Sequence, residues 1–373
     1  MKQLNLKTEI HYFERFSDFA EEFKVGNRDL VFTRKAFKKY FKPTQNEPIF
    51  IYNDDFGKGE PTDKTIDSIV SEINKLRDKF DRVIAVGGGS IVDIGKLLAL
   101  KDVTSAEQLF FKKIPAVKDK ELVIIPTTCG TGSEVTNISI ATIESLNTKL
   151  GLADDSIFAD YAVLIPELLE ELPFEVIMNS SIDALVHASE SFLSPKATPL
   201  SRIYSREAII TILEVYKKIF ACGSNVAKAH IGELLFASTY AGIAFGIAGT
   251  AVVHAMAYPL GSVYHVPHGE ANYQFFIECF KFYMKGKPDG DIRKFVEIIS
   301  NTLNKGGYEA LDCLENLLFK IFPSGNLKKL YSMKEENCKK FAESVVKNQQ
   351  RLLVNSYIQL TQDEIEQIYK IRY

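Results

Sequence analysis

Residues 82–100 read RVIAVGGGSIVDIGKLLAL. A Val/Ile-rich run meets three consecutive glycines, and a helix-spaced apolar pattern begins at once. The run suits a strand buried on both faces of a parallel sheet. The glycines let the backbone turn sharply and approach a ligand closely, and the amides of the first helical turn then face an anion with the helix dipole behind them. Gly87, Gly88, Gly89 and Ser90 are therefore candidate phosphate-binding residues. The stretch fits neither common fingerprint. GxGxxG needs a glycine where Val92 stands, and the Walker pattern needs a glycine at Ser90 and a hydroxyl residue at Leu97. A tight turn without a ligand is the alternative reading.

The same alternation of strand and helix signals extends through the first half. DLVFT (29–33), PIFIY (48–52), LVIIP (122–126) and AVLIP (162–166) are further short apolar runs. Between them, PTDKTIDSIVSEINKLRDKF (61–80) spaces Ile66, Ile69, Ile73 and Leu76 as a helix does, with Asp63 as the expected N-cap. Strand–helix–strand repetition predicts an α/β, Rossmann-like doubly wound parallel sheet. From about residue 172 the pattern changes to long helical segments, among them 173–193, 199–220, 230–249, 291–305 and 361–373. We expect two domains: an α/β dinucleotide-binding domain over 1–174 and an all-α domain over 175–373, in keeping with a length of 373 residues.

Charge and cysteine content narrow the function classes. Lys plus Arg (45) nearly balances Asp plus Glu (48), which argues against a nucleic-acid binder. No apolar run stands out as a membrane span and the start lacks a signal-peptide core, so a cytoplasmic protein with no membrane partner is expected. The five cysteines are scattered, without a CxxC, and predict reduced structural thiols. The 26 Phe and 16 Tyr, with no Trp, are expected mainly in cores rather than in a stacking platform. The lysine-rich stretch 326–340 is expected to be a solvated helical face, and GKGEPT (57–62) a glycine–proline turn.

Two further motifs carry chemistry. PTTCGTGSEVTN (126–137) follows a strand and sets Thr127, Thr128 and Thr131 beside glycines. It suits a pyrophosphate or ribose, or equally a cap for the next element. In SIDALVHASE, Asp183 and His187 are spaced i, i+4, on one helix face. Alone they also fit a buried ion pair. Three of the six histidines, His254, His265 and His268, fall in VVHAMAYPLGSVYHVPHGEAN (252–272), in an apolar setting where an unsatisfied imidazole is costly. His254 is expected in a small-residue helix ended by Pro259. One carboxylate and three imidazoles suit a borderline divalent metal.

Taken in order along the chain, GGGSIVDIGK, PTTCGTGSEVT, DALVHASE and the spaced H…PHG resemble the iron-containing (group III) alcohol dehydrogenases. The resemblance spans nearly the whole chain. It implies the dehydroquinate synthase-like architecture, with the active site in the cleft between a dinucleotide-binding and a helical domain, and a homodimer. It assigns Asp183, His187, His254 and His268 as ligands of Fe²⁺ or Zn²⁺. It assigns Gly88, Gly89 and Ser90 to the pyrophosphate, Thr127, Thr128 and Thr131 to the second nucleotide loop, and Asp93 and Lys149 to the cofactor site.

Within the family, YHVPHGEAN, SSIDALVHASESF and TTCGTGSEVTN resemble the branch acting on 4-hydroxybutyrate in anaerobic bacteria. That implies hydride transfer between 4-hydroxybutyrate and succinate semialdehyde, or, in a neighbouring branch, a diol, butanol or lactaldehyde. Two positions depart from the family pattern. Tyr258 replaces a histidine four residues after the third ligand, which leaves Tyr258 or His265 to carry the proton. Arg34 stands near the position of an aspartate suited to a ribose 2′-hydroxyl, so NAD is expected and NADP stays open. A carboxylate substrate needs a cationic or amide partner; Lys149, Arg202 and Asn272 are of the right type. A lyase of the dehydroquinate synthase type would need a basic cluster beside the metal, and none flanks 183–187 or 254–268. A non-enzymatic nucleotide binder would not need the four ligand-type residues.

Overall fold

The computed structural model describes residues 3–42, 46–57, 61–146 and 148–373, with the side chain of residue 308 left aside. The turn expected at 57–62 lies partly outside the described residues. The chain divides into two compact units. One comprises Leu6–Thr128 and Ser133–Glu171; the other comprises Cys129–Gly132 and Leu172–Tyr373, together with the N-terminal residues through Asn5.

The first unit is built on a six-stranded sheet, β1 (Glu9–Tyr12), β2 (Asp29–Thr33), β3 (Ile49–Tyr52), β4 (Arg82–Gly87), β5 (Glu121–Pro126) and β8 (Tyr161–Leu164), in the order β1-β8-β5-β4-β2-β3. Every pairing is parallel. The central strands are the β-branched runs seen in the sequence, and Val31, Ile84, Val86, Val123 and Ile125 are fully buried. Helices α1 (Phe16–Glu22), α2 (Asp63–Asn74), α3 (Gly89–Leu98) and α4 (Ala106–Phe110) belong to this unit. Ile66, Ile69 and Ile73 of α2 enter the core cluster with Val83, Leu122 and Ile124. The N-cap of α2 is Thr62, whose hydroxyl accepts from Thr65 N–H, rather than the expected Asp63. Asp63 is instead buried at the first helical position, where its carboxylate accepts from Glu144 N–H at 3.2 Å. An antiparallel hairpin of β6 (Ile138–Ile143) and β7 (Thr148–Ala153) was not foreseen. Only one face of β6 is buried, so it lacks a continuous apolar run.

The second unit is helical: α5 (Phe174–Leu193), α6 (Pro199–Cys222), α7 (Val226–Ala229), α8 (Ile231–Ala248), α9 (Val252–Tyr264) and α10 (His268–Gly286), with further helices to Gln362–Arg372. α5 lies at its centre, buried along most of its length and packed by α6, α8 and α10. α8 is, by length and composition, able to cross a membrane, contrary to the reading of the sequence; 67% of it is buried within the protein, on α5 and α6. Pro259 does not end α9, which continues to Tyr264. Proline forfeits one backbone hydrogen bond inside a helix, and packing of α9 on α10 keeps the helix going.

Candidate metal centre and nucleotide loops

In the α/β unit the glycine turn and the threonine loop emerge side by side, because β4 and β5 pair with Gly87 opposite Pro126. Thr127 N–H donates to the Gly87 carbonyl at 3.0 Å. Gly88 is the N-cap of α3 and offers no side-chain cap, which leaves the first-turn amides for an outside anion. Gly95 serves packing: a Cβ there would lie 2.4 Å from the Ala85 Cβ, so α3 sits directly on β4. Strand order reverses between β2 and β4, the place where open parallel sheets bind ligands. Arg34 directly follows β2; it is largely exposed and its Nε is 3.4 Å from the Asp54 carboxylate. Lys149 lies on β7 opposite Thr142, half-buried.

Asp93 is committed to holding elements together. Its carboxylate accepts from Ser133 Oγ at 2.6 Å and Ile140 N–H at 3.0 Å. Lys96, one turn on, is fully buried and donates to Ser133 Oγ, Thr136 Oγ1 and the Ile138 carbonyl at 2.6, 3.1 and 2.5 Å. Burial lowers the Lys96 ammonium to about 8, against the pull of Asp93 and Glu134. Burial likewise raises Asp93, against Lys96. Together they tie the segment after the threonine loop to α3.

In the helical unit, Asp183, His187, His254 and His268 bring one ligand atom each to within 4.8 Å of one another. α5 supplies Asp183 and His187, α9 supplies His254, and His268 is the first residue of α10. The Asp183 Oδ1 lies 4.0 Å from His187 Nε2 and 3.7 Å from both His254 Nε2 and His268 Nε2. Tetrahedral bonds of about 2.1 Å would set donors about 3.4 Å apart, so the three distances from Asp183 Oδ1 exceed that by only a few tenths of an ångström. The ring orientations leave Nε2 facing inward. His187 Nδ1 is 3.3 Å from the Gly130 carbonyl, and its ring stacks at 4.5 Å on Phe245 and on His254. His254 Nδ1 is 2.7 Å from Glu190 Oε2. Among the described residues its buried Nε2 has no hydrogen-bond partner, with Asp183 Oδ1 3.7 Å away, a setting suited to a cation.

Burial would raise the Asp183 carboxyl, but His187, His268 and His254 outweigh it and hold it well below the usual carboxylate range. Burial pulls the His187 imidazole down to about 4. Burial opposes charge on His254 too, yet Glu190 and Asp183 drive it up to about 10.

Neighbouring residues extend the picture. Asn272 Nδ2 donates to Asp183 Oδ1 at 2.7 Å and lies 3.4 Å from His268 Nε2, so Asn272 supports the ligands. Arg202 is engaged by Asp291 at 2.6 Å. Tyr258 is buried with its ring 5.9 Å from that of His268. His265 is exposed in the left-handed conformation that ends α9, φ 54°, and is not one of the four clustered residues. Glu190 escaped the sequence reading. The available signal was its place three residues after His187, on the helix face that carries both α5 ligands.

Family comparisons fit this arrangement. A model of the iron-containing alcohol dehydrogenases matches residues 10–166, and one of the Fe-containing alcohol dehydrogenase family, C-terminal, matches 177–373. The chain is 42% identical to the 4-hydroxybutyrate dehydrogenase of Clostridium kluyveri over the full length of both. Its fold is similar to that of the sulfoacetaldehyde reductase of Bifidobacterium kashiwanohense, solved in complex with NAD+ (TM-score 0.85, 23% identity, covering 100% of this chain and 98% of that one). It is equally similar to that of a 1,3-propanediol oxidoreductase (TM-score 0.85, 22% identity, 100% of both). The chain belongs to the iron-containing alcohol dehydrogenase family.

Proposed function

We propose that the protein interconverts 4-hydroxybutyrate and succinate semialdehyde by hydride transfer with a nicotinamide dinucleotide, NAD in the first instance. Asp183, His187, His254 and His268 would hold one Fe²⁺, or Zn²⁺ in its place. The observation that carries the metal reading is the convergence of four ligand atoms within 4.8 Å of one another, the buried His254 Nε2 among them. The substrate reading rests on the full-length likeness to a 4-hydroxybutyrate dehydrogenase.

The divalent metal, when bound, supplies Lewis acidity toward the alcohol or carbonyl oxygen, and the nicotinamide carries the hydride. The protein's part is orientation. Gly87, Gly88, Gly89 and Ser90, with Thr127, Thr128 and Thr131, would hold the pyrophosphate and ribose; Asp93 braces that region, and Lys149 and Arg34 would face the cofactor. Gly130 and Phe245 fix the ring of His187. Tyr258, close to His268, moves the alcohol proton outward, with exposed His265 as the alternative carrier.

Metal analysis of the purified protein and of His254→Ala tests the assignment. We expect one divalent ion per chain, lost in the variant together with turnover. Equal metal content and turnover in both would overturn it.

A further inference from the structure

Glu190 lies outside the four-ligand set, yet its buried carboxylate makes three close polar contacts: it accepts from Val253 N–H at 2.6 Å on Oε1 and from Ala251 N–H at 2.7 Å on Oε2, and Oε2 lies 2.7 Å from His254 Nδ1. The two donors are backbone amides at the start of α9, whose N-cap Ala251 has no capping side chain. Glu190 therefore does from α5 what an N-cap residue would do locally. The third contact reaches His254 on that same first turn.

Building on the metal reading above, we propose that Glu190 is a positioning residue that sets the tautomer and aim of His254, linking the start of α9 to the ligand set. An ionised carboxylate can only accept. It requires the proton of His254 to sit on Nδ1, and so frees the inward Nε2 as a donor to a cation. A carboxylate behind a ligating histidine fixes its ring and raises its basicity. A glutamine cannot take over. In either amide orientation its NH₂ faces at least one of the donor N–H groups: that of Val253, or those of Ala251 and His254. With NH₂ toward His254, the ring proton moves to Nε2 and blocks ligation.

The test compares zinc affinity, by competition with a chromophoric chelator, and the Co²⁺ ligand-field spectrum in wild type and Glu190→Gln. We expect about 10- to 100-fold weaker zinc binding in the variant and an altered cobalt spectrum. If the variant folds and matches wild type in both, Glu190 is only a helix brace and the proposal is overturned. If wild type itself binds no zinc, the metal reading fails and this one with it. Should Glu190→Gln not fold, ¹⁵N NMR of the histidine-labelled wild type decides, with His254→Ala giving the assignment. A proton on His254 Nδ1 in the zinc-loaded protein supports the proposal; an unprotonated Nδ1 overturns it.

Discussion

Replacing Gly269 by alanine tests how the fold aims His268. The added Cβ would lie 1.8 Å from the Asn179 carbonyl oxygen and 2.7 Å from its carbon. Both are backbone atoms of α5, so neither can rotate aside. An ordinary carbon–oxygen contact needs about 3.3 Å, so the start of α10 must withdraw from α5 by about 1.5 Å. Overpacking of this kind costs about 1–3 kcal/mol of stability. The greater effect falls on the adjacent ligand, because metal–ligand distances tolerate only about 0.2 Å. We expect Gly269→Ala to lower the melting temperature and weaken zinc binding by at least about tenfold, a change of about 1.4 kcal/mol. Gly261→Ala on α9 is the control: its Cβ would meet only the Val266 carbonyl at 3.5 Å, and alanine in a helix gains up to about 1 kcal/mol over glycine. Calorimetry and chelator competition read both effects. If Gly269→Ala kept wild-type stability and zinc affinity, the close α5–α10 contact would not be what places His268.

Other consequences are equally direct. The Lys96 pKa, lowered by burial to about 8, lies below that of an unfolded lysine, so the unfolded chain binds the extra proton between these values. That contribution to stability rises with pH from about 8 to about 10.4, by about 3 kcal/mol in all. Denaturant titrations should show the stability of wild type relative to Lys96→Met growing with pH across this window; a flat difference would refute the buried-cation account. Burial pushes the Cys129 thiol up to about 12, so alkylation of the native protein, followed by mass spectrometry, should mark exposed Cys222 and spare Cys129. Equal labelling rates would contradict the packing described. If Arg34 faces the adenosine ribose, Arg34→Asp should shift the NADH-to-NADPH ratio of kcat/KM toward NADH by at least about tenfold, like charge now opposing a 2′-phosphate; an unchanged ratio would remove Arg34 from the site.

The fold was legible wherever burial was complete. β2, β4 and β5 are continuous apolar runs because both faces are covered, and α5 showed itself through helical spacing and buried length. β1 was missed because it is an edge strand whose residues are largely exposed. The β6–β7 hairpin was missed because β6 buries only one face and β7 is mostly half-buried, so neither carries a continuous apolar run. The cap of α2 was displaced by one residue because the Thr62 hydroxyl serves it, which frees Asp63 for a distant amide. At the site, chemistry-bearing residue types were visible and their partners were not. Asp183 and His187 announce themselves by spacing, and the other two histidines by their rarity. Glu190 looks like an ordinary polar residue until tertiary packing turns it toward His254, and Asn272, of a type suited to a substrate carboxylate, is turned by packing toward Asp183 instead. Lys96 looks like a helical surface lysine until β6 and the loop before it close over it.

The proposed reaction is tested by anaerobic turnover of the iron-loaded protein with NADH, comparing succinate semialdehyde with butanal, an aldehyde of equal chain length without the carboxylate. We expect a much higher kcat/KM for succinate semialdehyde, abolished by chelation and restored by Fe²⁺. Equal or better rates with butanal would contradict the 4-hydroxybutyrate assignment, and turnover that survives complete removal of the metal would contradict the role given to Asp183, His187, His254 and His268.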